Sequence, residues 1–123
     1  MSNPELDFDY FTIEIRYKSL DYGPFGFRLR KALPKGVTLS SVVLRSFLGH
    51  VEPGDDLSAA TETTSELIDA VKTNVSSSYI ISAYFDYPTT PDYAGGKQHT
   101  LVFEVTMSNG ATHPYYGYYV TVF

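Results

Sequence analysis

Two alternating runs near the end of the chain constrain it most: Thr100-Leu101-Val102-Phe103-Glu104-Val105-Thr106-Met107 meets Ser108-Asn109-Gly110 and returns through Tyr118-Tyr119-Val120-Thr121-Val122-Phe123. Apolar and polar residues that trade places at every step have the period of a strand with one buried face. Asn-Gly between two such runs favours a type I′ turn, in which both central residues take positive φ. A β-hairpin is therefore expected here, and the rest of the chain must supply a framework that can hold it.

That framework reads as all-β. From Phe8 to Lys18, the residues Phe11, Ile13, Ile15 and Tyr17 share one face, and Thr12, Glu14, Arg16 and Lys18 share the other. Leu20-Asp21-Tyr22-Gly23-Pro24 is turn chemistry, and alternation resumes in Phe25 to Arg30 with Phe25, Phe27 and Leu29 inward. After the turn Leu33-Pro34-Lys35-Gly36, a strand is expected within Val37 to Leu48, where Val42, Leu44 and Leu48 share a face with Ser46 as its weak member. Val51 to Asp56 is a loop. Tyr79 to Phe85 is a further strand, with Ile81, Ala83 and Phe85 on one face and Ile80, Ser82 and Tyr84 on the other. Asp86 to Gln98, carrying Pro88, Pro91, Gly95 and Gly96, reads as a long loop.

The middle admits two readings. Thr63-Thr64-Ser65-Glu66 ahead of Leu67, Ile68 and Val71 has the form of a capping box, which gives one short helix near 65–73; a strand over Leu67 to Val75 competes with it. About six to eight strands separated by Gly, Pro, Asp and Asn turns, with little helix, point to an immunoglobulin-like antiparallel β-sandwich. A tail is expected over residues 1–6 and a single domain over 7–123, a size that buries one core without staples. The Cys pair and core Trp of antibody domains are both missing, so the expected likeness is architectural.

Composition removes several functions. With no cysteine there is no disulfide framework, cysteine zinc site or thiol catalysis. A net charge of −5 without a Lys/Arg run argues against nucleic acid as a partner, because such binding draws on clustered cations. Met1 to Asp7 has neither a basic region nor an apolar run, and no stretch approaches the roughly 20 apolar residues of a span. Neither secretion by an N-terminal signal peptide nor insertion in a membrane is expected.

Two stretches resemble a group of small immunoglobulin-like proteins encoded among phage and prophage structural genes. The first is Asp21-Tyr22 followed by Leu33-Pro34-Lys35-Gly36-Val37-Thr38-Leu39-Ser40-Ser41-Val42; the second is Gly95-Gly96, then Val105-Thr106-Met107-Ser108-Asn109-Gly110. The chain departs from that group at His99, where a Tyr is usual, at Phe25 and Phe27, where a Trp is frequent, and in the apparent insertion Asp86 to Tyr93. The resemblance implies a non-enzymatic structural or accessory module, in a virion or in the bacterial cytoplasm as part of a prophage cluster. It carries over no catalytic residue.

The residues themselves offer little chemistry. His50, His99 and His113 have no His-x-His or His-x-x-x-His spacing, and Glu52, Asp55 and Asp56 lack the calcium-loop pattern, so no metal or other cofactor is expected. Ser76-Ser77-Ser78 reads as a turn and no Gly-x-Ser-x-Gly elbow occurs. Glu14 and Glu104 satisfy only the loosest test for a carboxylate pair, and an enzyme is not expected.

Aromatic residues stand out. Eleven tyrosines and eight phenylalanines accompany no tryptophan, and Tyr115-Tyr116-Gly117-Tyr118-Tyr119 places four tyrosines in one short run. Alternation groups Tyr118 with Val120 and Val122, and Tyr119 with Thr121 and Phe123, so one set can face the core and the other is left at least partly exposed. Tyr115, Tyr116, Tyr118 and Tyr119, with Tyr87 and Tyr93 on the Asp86 to Gly96 loop, are thus the candidate binding residues for a protein or glycan. Cross-strand packing is their ordinary alternative role. Self-association through an aromatic sheet face or an open edge, such as the strand ending at Phe123, is the second reading, and a hydrolase with an unrecognised site the third.

Overall fold

The computed structural model describes residues 11–16, 18–28 and 34–123. Seven strands lie within them: β1 (Phe11–Ile15), β2 (Tyr22–Arg28), β3 (Leu39–Leu48), β4 (Asn74–Ser77), β5 (Ile80–Phe85), β6 (Lys97–Met107) and β7 (Thr112–Val122). They form a four-stranded sheet, β1-β7-β6-β3, and a three-stranded sheet, β2-β5-β4. The β4–β5 and β6–β7 connections are hairpins within one sheet, and every other connection passes from one sheet to the other. Placing β3, β6 and β7 opposite β2, β5 and β4 reproduces the C-F-G and B-E-D order of an immunoglobulin-like sandwich. One pairing departs from the antiparallel expectation: β1 runs parallel to β7, with Phe11 beside Tyr118 and Ile15 beside Val122.

Period-two patterning accounts for the core. Ile13 and Ile15 of β1, Phe27 of β2, Leu44 of β3, Ile81, Ala83 and Phe85 of β5, Leu101, Phe103 and Val105 of β6, and Val120 and Val122 of β7 are all buried between the sheets. Phe27 sits at the centre of an aromatic cluster, 4.9 Å from Phe103 and 6.3 Å from Phe85 between ring centroids. The predicted faces of β3 and β5 hold residue for residue. Ser46, the polar member of the β3 face, is fully buried and bonded through its hydroxyl to Thr63. Phe8 to Tyr10, Tyr17, Leu29, Arg30 and Leu33 lie outside the described residues, as does the expected tail.

A second, smaller core lies on the other side of the four-stranded sheet. Phe47 and Val102 point outward by alternation, yet both are fully buried, because the chain after β3 folds back over them with Val51, Leu57 and Ala60. Thr100 anchors this cover: its hydroxyl donates to the Gly49 carbonyl at 2.6 Å and accepts from the Val51 N–H at 3.1 Å.

Local structure differs from the sequence reading in five places. The β6–β7 hairpin closes through the three residues Ser108, Asn109 and Gly110, not a two-residue type I′ turn. Gly110 has φ 85° and donates to the Met107 carbonyl, whereas Asn109 is absent from the positive-φ residues and its side chain accepts from the Ala111 N–H. This is a type I turn closed by a left-handed glycine, which asks for one positive φ instead of two.

The capping box does not form. Thr63 caps the single helical turn α1 (Thr64–Leu67) without a side-chain bond, since its hydroxyl is engaged by Ser46 and His99, and Glu66 instead accepts from the Thr89 hydroxyl. With those groups diverted, the helix ends at Leu67, and Ile68 turns extended and bridges to Phe85. Both readings of the middle thus hold in part: a helical turn at 64–67, then a strand confined to Asn74–Ser77.

Gly23 and Pro24 belong to β2, not to the turn before it. Pro is accommodated because β2 is an edge strand and its register shifts between Tyr22 and Phe25. Ser76 and Ser77 likewise extend β4, leaving Ser78 and Tyr79 as the turn. Finally, the strand ending near Phe123 is not an edge: β7 lies between β1 and β6, so its ladder bonds are taken from both sides along Tyr118 to Val122.

Candidate functional site

The register of the β6–β7 pair decides where the tyrosines go. Leu101 opposes Tyr118 and Phe103 opposes Tyr115, so two steps along β6 match three along β7. That extra residue is a β-bulge, and it shifts the phase of alternation in the middle of the run. Tyr115 and Tyr118 consequently both turn inward, and Tyr116 and Tyr119 both turn outward.

Tyr118 is the more firmly held of the inward pair. Its ring meets Phe27 and Phe103 edge-on at 5.2 and 5.5 Å, and its hydroxyl donates to the Arg28 carbonyl at 3.0 Å. Tyr115 packs at the margin of the same core with the His113 ring 4.8 Å away, and burial pushes its phenol above the usual tyrosine range.

The outward pair is half-buried on the outer face. Tyr116 leans on the cover over Phe47 and Val102. Tyr119 stacks on the exposed His50 ring at 4.8 Å with planes 28° apart, and His50 in turn shares a hydrogen bond with the Gln98 side chain. Tyr87 and Tyr93 occupy the loop of residues 86–96. The Tyr87 hydroxyl donates to the Phe123 carbonyl at 2.8 Å, and Tyr93 closes a 3₁₀ turn (Pro91–Tyr93) with its ring edge-on to His99. The six candidate tyrosines therefore do not converge on one surface but form an inward pair, an outward pair and a loop pair.

A group that the sequence did not indicate gathers at one end of the sandwich. Carboxylate oxygens of Asp21, Asp69 and Asp86 all lie within 4.8 Å of one another. Asp21 reaches this position with φ 62°, a left-handed conformation that aspartate tolerates, and its N–H donates to Asp86 Oδ1 at 3.0 Å. Lys72 Nζ lies 2.9 Å from Asp21 Oδ1, and this contact holds the Asp21 carboxyl below its ordinary range and raises the ammonium. The three carboxylates are hard oxygen donors of the kind a divalent cation takes, with Lys72 already supplying one positive charge. Three loops distant in sequence bring them together, so no motif could have indicated the group.

The other acidic candidates have local duties. Asp55 accepts from the Glu52 N–H, and Asp56 accepts from both the N–H and the hydroxyl of Ser58. Glu14 pairs with Arg16, whereas Glu104 shares Arg45 with Glu62. Arg45 also lies over the Phe47 ring at 4.9 Å. His99 is fully buried beneath Thr63 and the Tyr93 loop, and among the described residues no carboxylate bonds to it.

The chain matches no known protein-family model, no curated protein and no solved structure.

Proposed function

We propose that this chain is a non-catalytic recognition module that contacts a protein or glycan partner through the outer face of its four-stranded sheet. The observation that carries the reading is the β7 bulge, which turns Tyr116 and Tyr119 out of the core, Tyr116 against Phe47 and Val102 and Tyr119 onto the exposed His50 ring. Half-buried tyrosines offer large contact area with little rotamer entropy left to lose, and their hydroxyls stay wet. Glu14 and Glu104, the carboxylate pair the sequence offered, are each engaged by an arginine, which favours a binding role over catalysis through them. The resemblance to small immunoglobulin-like phage and prophage proteins supplies the setting, a structural or accessory protein of a virion or prophage cluster.

Self-association is the second reading, and one observation favours it. Val43 is 59% exposed on the outer face of β3, an edge strand that is covered at its start, where the Leu39 N–H donates to the Ser78 carbonyl, and at its end, where Leu48 and Thr63 bond to Thr61 and Ser46. Sedimentation equilibrium over a wide concentration range separates the two. A monomer that binds a glycan or protein in a screen, and loses that binding in Tyr119→Ala while staying folded, upholds the first reading. A dimer dispersed by Val43→Lys replaces it with the second.

A further inference from the structure

We infer that His99 is a pH-operated latch that holds the loop of residues 86–96 against the sandwich, and that protonation of its imidazole releases this loop. The inference is independent of what the outer face binds.

Both ring nitrogens are already engaged. Nε2 lies 2.8 Å from the Tyr93 carbonyl and Nδ1 lies 3.0 Å from Thr63 Oγ1. A carbonyl can only accept, so the single proton of the neutral ring sits on Nε2 and Nδ1 is the acceptor. Thr63 must then donate to Nδ1, and it accepts in turn from Ser46 Oγ, 2.8 Å away. Hydrogen bonds thus run in one direction from β3 through the N-cap of α1 and β6 to the loop. A second proton on Nδ1 would take away the acceptor of the Thr63 hydroxyl, which would have to turn toward Ser46 Oγ and displace the Ser46 proton from that bond. It would also place a cation where the side chain has 0% exposure.

Among the described residues no neighbouring charge compensates. Around His99, β3 contributes Ser46 and Leu48, and β7 contributes Val120. The segment before α1 contributes Thr63, flanked by Glu62, which is bound to Arg45, and followed by Glu66, which is bound to Thr89. The loop contributes the Tyr93 phenol ring, with Asp92 exposed to solvent, and Lys97 at the start of β6 is also exposed. Desolvation accordingly holds the imidazole below the usual histidine value, opposed only in part by the Tyr93 carbonyl.

The loop is the part able to yield. The Tyr93 bond fastens its second half to β6, while its first half is fixed separately by the Tyr87 hydroxyl on Phe123 and the Thr89 hydroxyl on Glu66, and its end by the Gly96 N–H on the Val122 carbonyl. Breaking the Tyr93 bond hydrates His99 without dismantling either sheet. If the released imidazole titrates near its ordinary 6.5, the released fraction rises about tenfold between pH 7.5 and 5.5, and continues upward by about tenfold per unit until the closed form itself titrates.

Amide hydrogen exchange of the full chain at pH 7.5, 6.5 and 5.5, corrected for intrinsic rates, tests this. The amides of Tyr93 and Ala94, bonded within the loop turn, should open about tenfold more at pH 5.5, while those of Leu101 to Val105 stay protected. His99→Gln should abolish the pH dependence, and Glu66→Gln should retain it. Imidazole titration of the wild-type protein by NMR serves where His99→Gln does not fold. Loop and β6 amides opening together, a pH response unchanged in His99→Gln, or a His99 ring titrating at an ordinary value with the loop still protected would each overturn the latch.

Discussion

The Tyr118 hydroxyl donates to the main-chain carbonyl of Arg28, 3.0 Å away, and so ties β7 in one sheet to the end of β2 in the other. The contact joins residues 90 positions apart, at the rim of the cluster formed by Phe27 and Phe103. Tyr118→Phe keeps the ring and loses the bond, so chemical denaturation should show a loss of about 1 kcal/mol. Tyr118→Ala also removes the ring from a core that collapses only partly around the gap, and about 3 kcal/mol should be lost. Equal losses in the two variants would show that the ring contributes nothing beyond the hydrogen bond.

Two glycines of the same edge strand should respond unequally to alanine. At Gly23 the backbone has φ 147°, and a new Cβ would lie 2.8 Å from the Ala83 carbonyl oxygen and 2.9 Å from the Tyr84 ring. At Gly26 the nearest atom is 3.8 Å away, an ordinary contact. Gly23→Ala is expected to destabilise by more than about 1 kcal/mol, whereas Gly26→Ala should stay within about 0.5 kcal/mol of the parent. Matched urea melts would distinguish them.

Acid should weaken the carboxylate group at the end of the sandwich. The Asp21 carboxyl is held below its ordinary 3.8 by Lys72, so its contribution to stability is present above that value and fades as pH falls through the lower value of the folded state. Lys72→Met removes the contribution and leaves three carboxylates facing one another. The variant should therefore be less stable than the parent at pH 7, with a gap that narrows toward pH 3 and shrinks in high salt. Thermal melts at several pH values would show this; a gap constant with pH would assign the loss to the contact of the Lys72 ammonium with the Tyr84 ring, 5.5 Å from its centroid.

On the outer face, the two tyrosines should differ. Tyr116 rests on the small core of Phe47, Val51 and Val102, so Tyr116→Ala should cost about 1 to 2 kcal/mol. Tyr119 stacks on an exposed His50, and Tyr119→Ala should cost less than about 1 kcal/mol. Thermal denaturation of the two variants side by side is the check, and it also identifies Tyr119 as the cleaner probe of binding.

Strands and faces were legible in the sequence because burial imposes a period of two: the inward sets of β3 and β5 and the grouping of Tyr118 with Val120 and Val122 needed nothing more. Features set by contacts between distant segments were not legible. The bulge follows from matching two registers, and its one local signal is Gly117 within the tyrosine run. The Thr63 hydroxyl had a better partner in His99 than in its own helix, which removed the cap that local pattern favoured. The Asp21, Asp69 and Asp86 group exists only once three loops meet. Of the candidate binding residues, sequence supplied the tyrosines and separated Tyr118 from Tyr119, but could not place Tyr115 and Tyr116 relative to them.

That division has a consequence for how the strand can change over time. Without the extra residue, inward and outward positions would alternate strictly, and any change of phase would exchange one set of side chains for the other. The bulge separates the two halves of β7, and on each side of it one tyrosine is held by the core around Phe27 and Phe103 while the next faces away, so Tyr116 and Tyr119 can be exchanged without repacking that core. One strand can thereby serve as foundation on one side and as variable surface on the other.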